Sequence, residues 1–378
     1  MGVKGGERYL PPNIMGFKCG IVGLPNVGKS TIFNAMTAAK AEAANYPFCT
    51  IDPNVGIVQV PDDRLQKLAA LFQPDKITPT AIEFVDIAGL VKGASQGEGL
   101  GNQFLGHIRQ VDAIAHIVRC FDDPDVVHVH GGVDPARDIE VINTELALAD
   151  LDTVTKRVQK LEKQAKVGDK TAQQSLGVYQ KVLQGLEAGQ QVRSLGLKPE
   201  ECHLIADSFL LTLKPILYVT NVSEQEVKTE NAAVAEVRRL AAQEGAEVVV
   251  ISGKVESEIA ELAHDEREAF LHDLGLKESG LAQLARAGYK LLGLATFFTA
   301  GKQEVRAWTI RHNTLAPQAA GVIHSDFEKG FIRAECYHIN DIFTLGSEQK
   351  IKESGKMRLE GKEYVVKDGD VLFFRFNV

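Results

Sequence analysis

Cysteine is scarce in this chain of 378 residues, and the five present, Cys19, Cys49, Cys120, Cys202 and Cys336, are odd in number and widely scattered. No Cys-x-x-Cys pair occurs. Neither a disulfide framework nor a zinc ribbon is expected, and a reducing cytoplasm is the expected setting. No uninterrupted apolar run approaches the roughly 18 residues that mark a membrane helix. The first dozen residues carry Lys4, Glu7 and Arg8 and lack the apolar stretch of a signal peptide. No membrane partner is therefore expected. An excess of positive charge is missing too: 42 basic against 50 acidic side chains leave a formal charge of −8. A nucleic-acid partner must then be met by a local basic patch, which excludes a histone-like mode and gives no expectation of DNA specificity.

What is present suits a globular protein of more than one module, with 44% apolar and 24% charged residues. Residues 1–14, with Gly2, Gly5, Gly6, Pro11 and Pro12, are read as a flexible extension or the product of an upstream start. Short β-branched runs then recur at Phe17–Val22, Val55–Val60, Ile82–Val85, Ala113–Val118, Ile216–Val219 and Val248–Ile251, separated in several places by segments of helical period. This alternation predicts an α/β fold with a mostly parallel sheet.

Between the fourth and fifth runs, Leu151, Val154, Val158, Leu161 and Ala165 repeat at three-and-four spacing among charged residues. Gly168-Asp169 interrupts the seam, and Leu176, Tyr179, Leu183 and Leu186 resume it. The pattern predicts an antiparallel helical hairpin inserted in the sheet domain, serving either as a docking arm or as a plain solvent-facing helix pair. After about Ala295 the strand-like pieces Val305–Ile310, Gly321–His324 and Val371–Phe376 predict a small β-rich C-terminal domain. Lys302, Arg306, Arg311, Lys329 and Arg333 form either a basic face for RNA or an ordinary solvated surface.

The strongest motif is Gly23-Leu-Pro-Asn-Val-Gly28-Lys29-Ser30, placed after the first strand and before the helical Thr31-Ile-Phe-Asn-Ala-Met. A polyphosphate needs several backbone N–H groups converging at a helix N-terminus, and glycines let the chain approach that closely. In such a loop Lys29 supplies a cation to the outer phosphates and the Ser30 hydroxyl ligates magnesium. Asp86-Ile-Ala-Gly89 at the end of the third run fits a carboxylate holding the same ion, with Gly89 N–H reporting the γ-phosphate. Thr50, in the intervening loop Asn45-Tyr-Pro-Phe-Cys-Thr50, is the candidate for completing the metal's coordination.

The base should lie beside the loops after the fifth and sixth strands, at the carboxyl ends of the sheet. Guanine readers carry Asn-Lys-x-Asp, whose carboxylate accepts from the ring N–H and the exocyclic amine. This chain has Asn221-Val222-Ser223-Glu224 instead, and the loss of that geometry removes most of a guanine preference. Ser252-Gly253-Lys254 is the candidate last base-contacting loop, read through its backbone N–H groups. The residue after Asp-x-x-Gly is Leu90, where Ras-like enzymes use a water-orienting glutamine. Slow turnover is expected unless another group assists, and Asn26, which could help hold potassium, and a histidine of Val126-Val-His128-Val-His130 are the candidates.

With these motifs the chain resembles the Obg-like ATPase family, also called YchF. The likeness extends through Gly93-Ala-Ser-Gln-Gly-Glu-Gly-Leu-Gly101-Asn, Asn143-Thr-Glu-Leu-Ala-Leu-Ala-Asp-Leu, Phe298-Thr-Ala-Gly and Asp326-Phe-Glu-Lys-Gly-Phe-Ile-Arg333. The resemblance implies a P-loop NTPase domain of Ras-like type, an inserted coiled-coil helical domain and a C-terminal TGS domain of β-grasp type. It places their boundaries at 15–138 and 211–294, 139–210, and 295–378. It also implies magnesium-dependent hydrolysis of ATP in preference to GTP, in association with the ribosome. Residue by residue it implies that Asn26, Val27, Gly28, Lys29, Ser30 and Thr31 hold the phosphates and that Ser30 and Thr50 bind magnesium. It further implies that Val222 meets adenine through its backbone, that Phe121 lies near the base, and that His128 assists hydrolysis. The alternatives are a conventional GTPase and a regulator of RNA or ribosome in which hydrolysis is incidental.

Overall fold

The computed structural model describes residues 17–40, 53–87, 100–124 and 131–377. Along the chain run β1 (Lys18–Val22), α1 (Lys29–Lys40), β2 (Val55–Gln59), α2 (Asp63–Phe72), β3 (Lys76–Thr78), β4 (Ala81–Asp86), α3 (Leu100–Gln110) and β5 (Ala113–Arg119). Next come α4 (Pro135–Lys166), α5 (Lys170–Glu187), α6 (Pro199–Ile205), β6 (Ile216–Asn221), α7 (Ala232–Glu244), β7 (Glu247–Ile251), α8 (Gly253–Glu261), α9 (His264–Asp273) and α10 (Gly280–Leu291). The last stretch holds β8 (Leu294–Ala300), β9 (Glu304–Arg311), α11 (Ala316–Ile323), α12 (Ser325–Lys329), β10 (Phe331–His338), α13 (Ile339–Leu345), α14 (Glu348–Glu353), β11 (Arg358–Glu360) and β12 (Asp370–Phe376).

The described residues divide into two compact units, one of 17–40, 53–57, 83–87, 100–124 and 131–288, the other of 58–82 and 289–377. The first is built on a sheet of order β2-β4-β1-β5-β6-β7. The six apolar runs of the sequence supply its six strands. β1 lies parallel to β4 and β5, and β5–β6–β7 continue parallel. Asp86 N donates to Asn54 O and Val60 N to Thr80 O, so β2 runs against β4 at the edge. All seven residues of β5 are buried, as expected of a strand covered on both faces.

The 32-residue α4 and the 18-residue α5 form the antiparallel hairpin. Its core gathers Val154, Val158, Leu161, Ala172, Val178, Tyr179, Val182 and Leu186, with Leu151, Leu176 and Leu183 packed against it. Asp134 caps α4 by accepting from Arg137 N, and Pro135 opens the helix, four residues ahead of the boundary expected at 139. Gly168 turns the chain in the left-handed region at φ +89°, and Asp169 caps α5. The hairpin clusters with the sheet unit and not as a separate body, because its root is tied in. Asp150 of α4 is buried and accepts from Leu211 N (2.8 Å), Thr212 N (2.8 Å) and Thr212 Oγ1 (2.7 Å). Arg193 donates to Glu244 Oε2 at 2.8 Å, and Tyr218 of β6 donates to the other oxygen of Glu244 at 3.2 Å.

The second unit departs from the sequence expectation in three respects. Its sheet has the order β11-β10-β12-β8-β9-β3, so a strand from residues 76–78, expected within the nucleotide domain, joins the C-terminal strands parallel to β9. α2 comes with it: Leu65 and Leu68 pack against Phe298, Val305, Ala307 and Ile342. Arg64 Nη1 donates to Asp368 Oδ2 at 2.6 Å, and Thr296 N donates to Asp368 Oδ1 at 2.8 Å. The C-terminal stretch of the unit also begins at Tyr289 and not at 295. The third departure is Gly321–His324, which is the end of α11 with its C-cap and not a strand. Pro317 in the first turn and the alanines that follow favour a helix there, and Gln318 accepts from Leu315 N at its start. β8 pairs antiparallel with β9 and parallel with β12, and α11 covers one face through Ala316, Ala319 and Ala320. That is the β-grasp arrangement. Among the proposed basic residues, Arg306 lies folded over the Trp308 ring at 3.7 Å and is no plain solvated cation.

Burial raises the Asp150 carboxyl above its ordinary range, and the hydrogen bonds from Thr212 and Leu211 oppose that rise. Removing it strands three buried donors. Asp150→Ala is therefore expected to lower the unfolding free energy by about 2–4 kcal/mol, measured by urea denaturation; a change under about 0.5 kcal/mol would contradict the root assignment.

Candidate functional site

β1 delivers the chain into residues 23–28 and α1 takes it away from Lys29, so the loop sits at a helix N-terminus between two secondary elements. Its backbone is special at two places: Asn26 has φ +62° and Gly28 φ +92°. Alternating such residues with ordinary ones curls successive N–H groups toward one side, which makes a concave anion seat. Val27, between them, points inward and is 1% exposed. Lys29 Nζ reaches Asp86 Oδ1 at 2.5 Å, with Asp86 at the end of β4, in register with Ile21 of β1. Ser30 and Thr31 are exposed at the start of α1. A cation and a carboxylate therefore meet at the carboxyl ends of adjacent strands, with two hydroxyl residues at the start of the helix that follows.

Asn221, the last residue of β6, holds this arrangement together. Its Nδ2 donates to Val27 O at 3.0 Å, and its Oδ1 accepts from Gly253 N at 2.9 Å. Both ends of one buried amide thus tie the phosphate loop to the first residue of α8. The fit is close: a Cβ added at Gly28 would lie 2.0 Å from Asn221 Nδ2, and one at Gly253 would lie 3.3 Å from Ile32 Cγ1. Ser252 caps α8 and is buried. The expectation that this loop reads a base through backbone N–H groups needs correction at Gly253, whose N–H is taken by Asn221.

The neighbouring segments are braced in the same way. Val222 N donates to Ile251 O at 2.8 Å, so its N–H is not available to a ligand. Ser223 Oγ donates to Glu226 Oε2 at 2.6 Å, while Asn231 Nδ2 bridges Glu226 Oε1 (3.1 Å) and Cys120 O (2.7 Å). Those donors, Ser223 first, hold the Glu226 carboxyl below its usual value. Glu224 does not stand alone: Lys254 Nζ lies 3.0 Å from its Oε2. Cys120 N donates to Asn221 O at 2.8 Å, and Phe121, half-buried, follows immediately. Buried Glu256 of α8 accepts from Gly280 N at 2.7 Å, and burial pushes its carboxyl up to about 6.

Of the residues singled out in the sequence, the structure gathers Asn26, Val27, Gly28, Lys29, Ser30, Thr31, Asp86, Phe121, Asn221, Val222, Ser252 and Gly253 at one end of the first sheet. Thr50, Gly89 and His128 lie outside the described residues. Missed in the sequence was Arg119, 1% exposed, which ends β5 and donates to the carbonyls of Phe121 and Asp123. An arginine closing a strand run that is apolar but for His116 was the available signal. Among the described residues no cluster of three His, Cys, Asp or Glu side chains suits a metal. The donors that fit a hard cation are instead the Ser30 hydroxyl and the Asp86 carboxylate, oxygen ligands of the kind magnesium takes beside phosphate. A separate cavity of about 350 Å³ lies in the hairpin between Arg157, Tyr179, His203 and Asp207. Arg157 and Asp207 neutralise each other there.

Gly28→Ala forces a side chain into the left-handed region and onto an amide tied at both ends. The variant is expected to lose about 2–4 kcal/mol of stability and to bind a triphosphate at least about tenfold more weakly, read by thermal unfolding and calorimetry. Wild-type behaviour in both would contradict the clamp.

The comparisons with known proteins agree with this geometry. Residues 18–168 match the family described as "50S ribosome-binding GTPase", and residues 294–377 match YchF-GTPase_C, described as "Protein of unknown function (DUF933)". The chain is 60% identical over 366 residues to a Bacillus subtilis protein named "Ribosome-binding ATPase YchF", covering 96% of this chain and 100% of that one. An Escherichia coli O157:H7 protein of the same name is 58% identical over 364 residues, with the same coverage. The solved structure of the Schizosaccharomyces pombe YchF GTPase superposes with a TM-score of 0.88 at 38% identity, covering 98% of this chain and all of that one. The loop, its asparagine clamp, the inserted hairpin and the β-grasp unit occur in one chain with relatives matched end to end, and the chain belongs to the YchF family.

Proposed function

We propose that this protein is a magnesium-dependent ATPase switch that works on the ribosome. The observation that carries the reading is the Asn221 amide clamping the phosphate loop to the start of α8, with the Val222 carbonyl beside it. The printed names of the relatives agree on a nucleotide hydrolase and differ on the base. The base is decided by donors and acceptors. Adenine presents its exocyclic amine as a donor where guanine presents a carbonyl oxygen. A backbone carbonyl at Val222 accepts from the former and repels the latter. At the same time Glu224, where a guanine reader has aspartate, already faces Lys254.

Within this reading Lys29 serves the outer phosphates, and Ser30 and Asp86 hold magnesium together with Thr50, which the family resemblance implies. The ion, when bound, neutralises charge on the β- and γ-oxygens. The chain's own residues bind and orient: the loop backbone from 26 to 31 seats the phosphates, and the 2.5 Å contact of Lys29 with Asp86 keeps the cation at that seat. Leu90 offers no hydrogen bond to an attacking water, so unassisted turnover is slow. His128 and a potassium ion at Asn26 are the proposed sources of assistance. Gly89 and Thr50 would carry the change of state outward, with ribosome or RNA met by the hairpin and the C-terminal unit. The four cysteines among the described residues are buried and free, which suits a reducing cytoplasm. A conventional GTPase is the second reading, favoured by the name printed for the fission yeast structure.

Calorimetric titration with magnesium is expected to show ATP binding at least as tightly as GTP, and Val222→Lys combined with Glu224→Asp to shift the ratio toward GTP. A strong GTP preference in the wild type would favour the second reading. His128→Ala is expected to bind ATP as the wild type does and to hydrolyse it at least about tenfold more slowly, within the effect of a lost general acid or base. Unchanged turnover in a single-turnover assay would remove His128 from the mechanism.

A further inference from the structure

We propose that Arg119 is a positioning residue for the purine base, fixing the plane of Phe121 so that the ring's open face becomes a stacking platform. This rests on the reading of the site as a purine triphosphate cradle.

Arg119 is the last residue of β5 and pairs in register with Asn221 of β6. It is 1% exposed, and a buried cation is costly unless its donors are met. Two of them are directed at one short stretch of chain. Nε donates to Phe121 O at 3.1 Å and Nη2 to Asp123 O at 3.3 Å. The guanidinium carbon lies 4.5 Å from the centroid of the Phe121 ring. One side chain therefore holds both the backbone and the ring of the same residue, through a planar fork that a lysine lacks.

The placement of the ring gives that grip a purpose. The bond from Cys120 N to Asn221 O places Phe121, one residue on, at the carboxyl end of the sheet, where Val222 follows Asn221. The ring is half-buried, with the guanidinium against one face. A flat ring so held accepts a base on the other face, and it is sequence-tolerant on its own because every base has a π-face. Orientation comes from Arg119 and hydrogen-bond selectivity from the Val222 carbonyl.

The test is calorimetry with magnesium on wild type, Arg119→Met, Phe121→Leu and the double variant, using ATP and inorganic tripolyphosphate, which has phosphates and no base. Stacking is worth about 1–3 kcal/mol per base, so Phe121→Leu is expected to weaken ATP about tenfold or more and Arg119→Met about five- to tenfold. Tripolyphosphate affinity should stay within about twofold in both, which also reports an intact phosphate loop. The double variant should be no weaker for ATP than Phe121→Leu alone, because Arg119 acts through that ring. The inference is overturned if Arg119→Met binds ATP as the wild type does, if it loses ATP and tripolyphosphate in equal measure, or if the two effects add. Should Arg119→Met not fold, Phe121→Leu alone decides: equal losses for the two ligands overturn the platform. Wild type binding neither ligand would instead bring down the triphosphate reading itself.

Discussion

The phosphate loop and the start of α8 are held together by one buried carboxamide. Asn221 offers a donor and an acceptor in fixed geometry, and both are engaged, on Val27 O and Gly253 N. An anion seat made of backbone N–H groups is useful only if it keeps its curl before the anion arrives, since ordering it on binding subtracts from affinity. The clamp supplies that preorganisation. It also explains why Gly28 admits no side chain, since the space its Cβ would need belongs to the amide.

The same solution recurs around the rest of the first unit: short polar side chains join segments far apart in sequence at points where apolar packing cannot specify a register. Asn231 bridges the end of β5 to the loop after β6, Glu256 caps α10 from α8, and Asp150 fastens the hairpin root to the turn ahead of β6. Hydrophobic burial along the hairpin seam holds α4 to α5, while these bonds decide where the pair is attached. In the second unit Asp368 does similar work, joining α2 to β8 through Arg64 and Thr296 N.

Legibility in the sequence followed the range of the interactions. The six sheet strands, the hairpin seam and the phosphate loop were readable because period, spacing and glycine placement are local signals. Residues 76–78 were not, because a three-residue strand with one buried side chain has no alternation to detect and its partner lies more than 200 residues away. Gly321–His324 was misread because a short apolar run does not separate strand from helix end. At the site, the residue types at Asn221, Val222 and Gly253 were found, but which of their polar groups face a ligand was not. That depends on partners such as Ile251 O and the Gly253 N–H, which only the folded chain brings near. Arg119 was overlooked for the same reason.

A crystal structure of the chain with magnesium and a non-hydrolysable ATP analogue would examine the clamp and the cradle together. The account predicts the triphosphate along the backbone of residues 26–31, the adenine amine at the Val222 carbonyl, and Asn221 still joined to Val27 and Gly253. A triphosphate seated elsewhere, or an Asn221 amide released from both loops to reach the ligand, would contradict it.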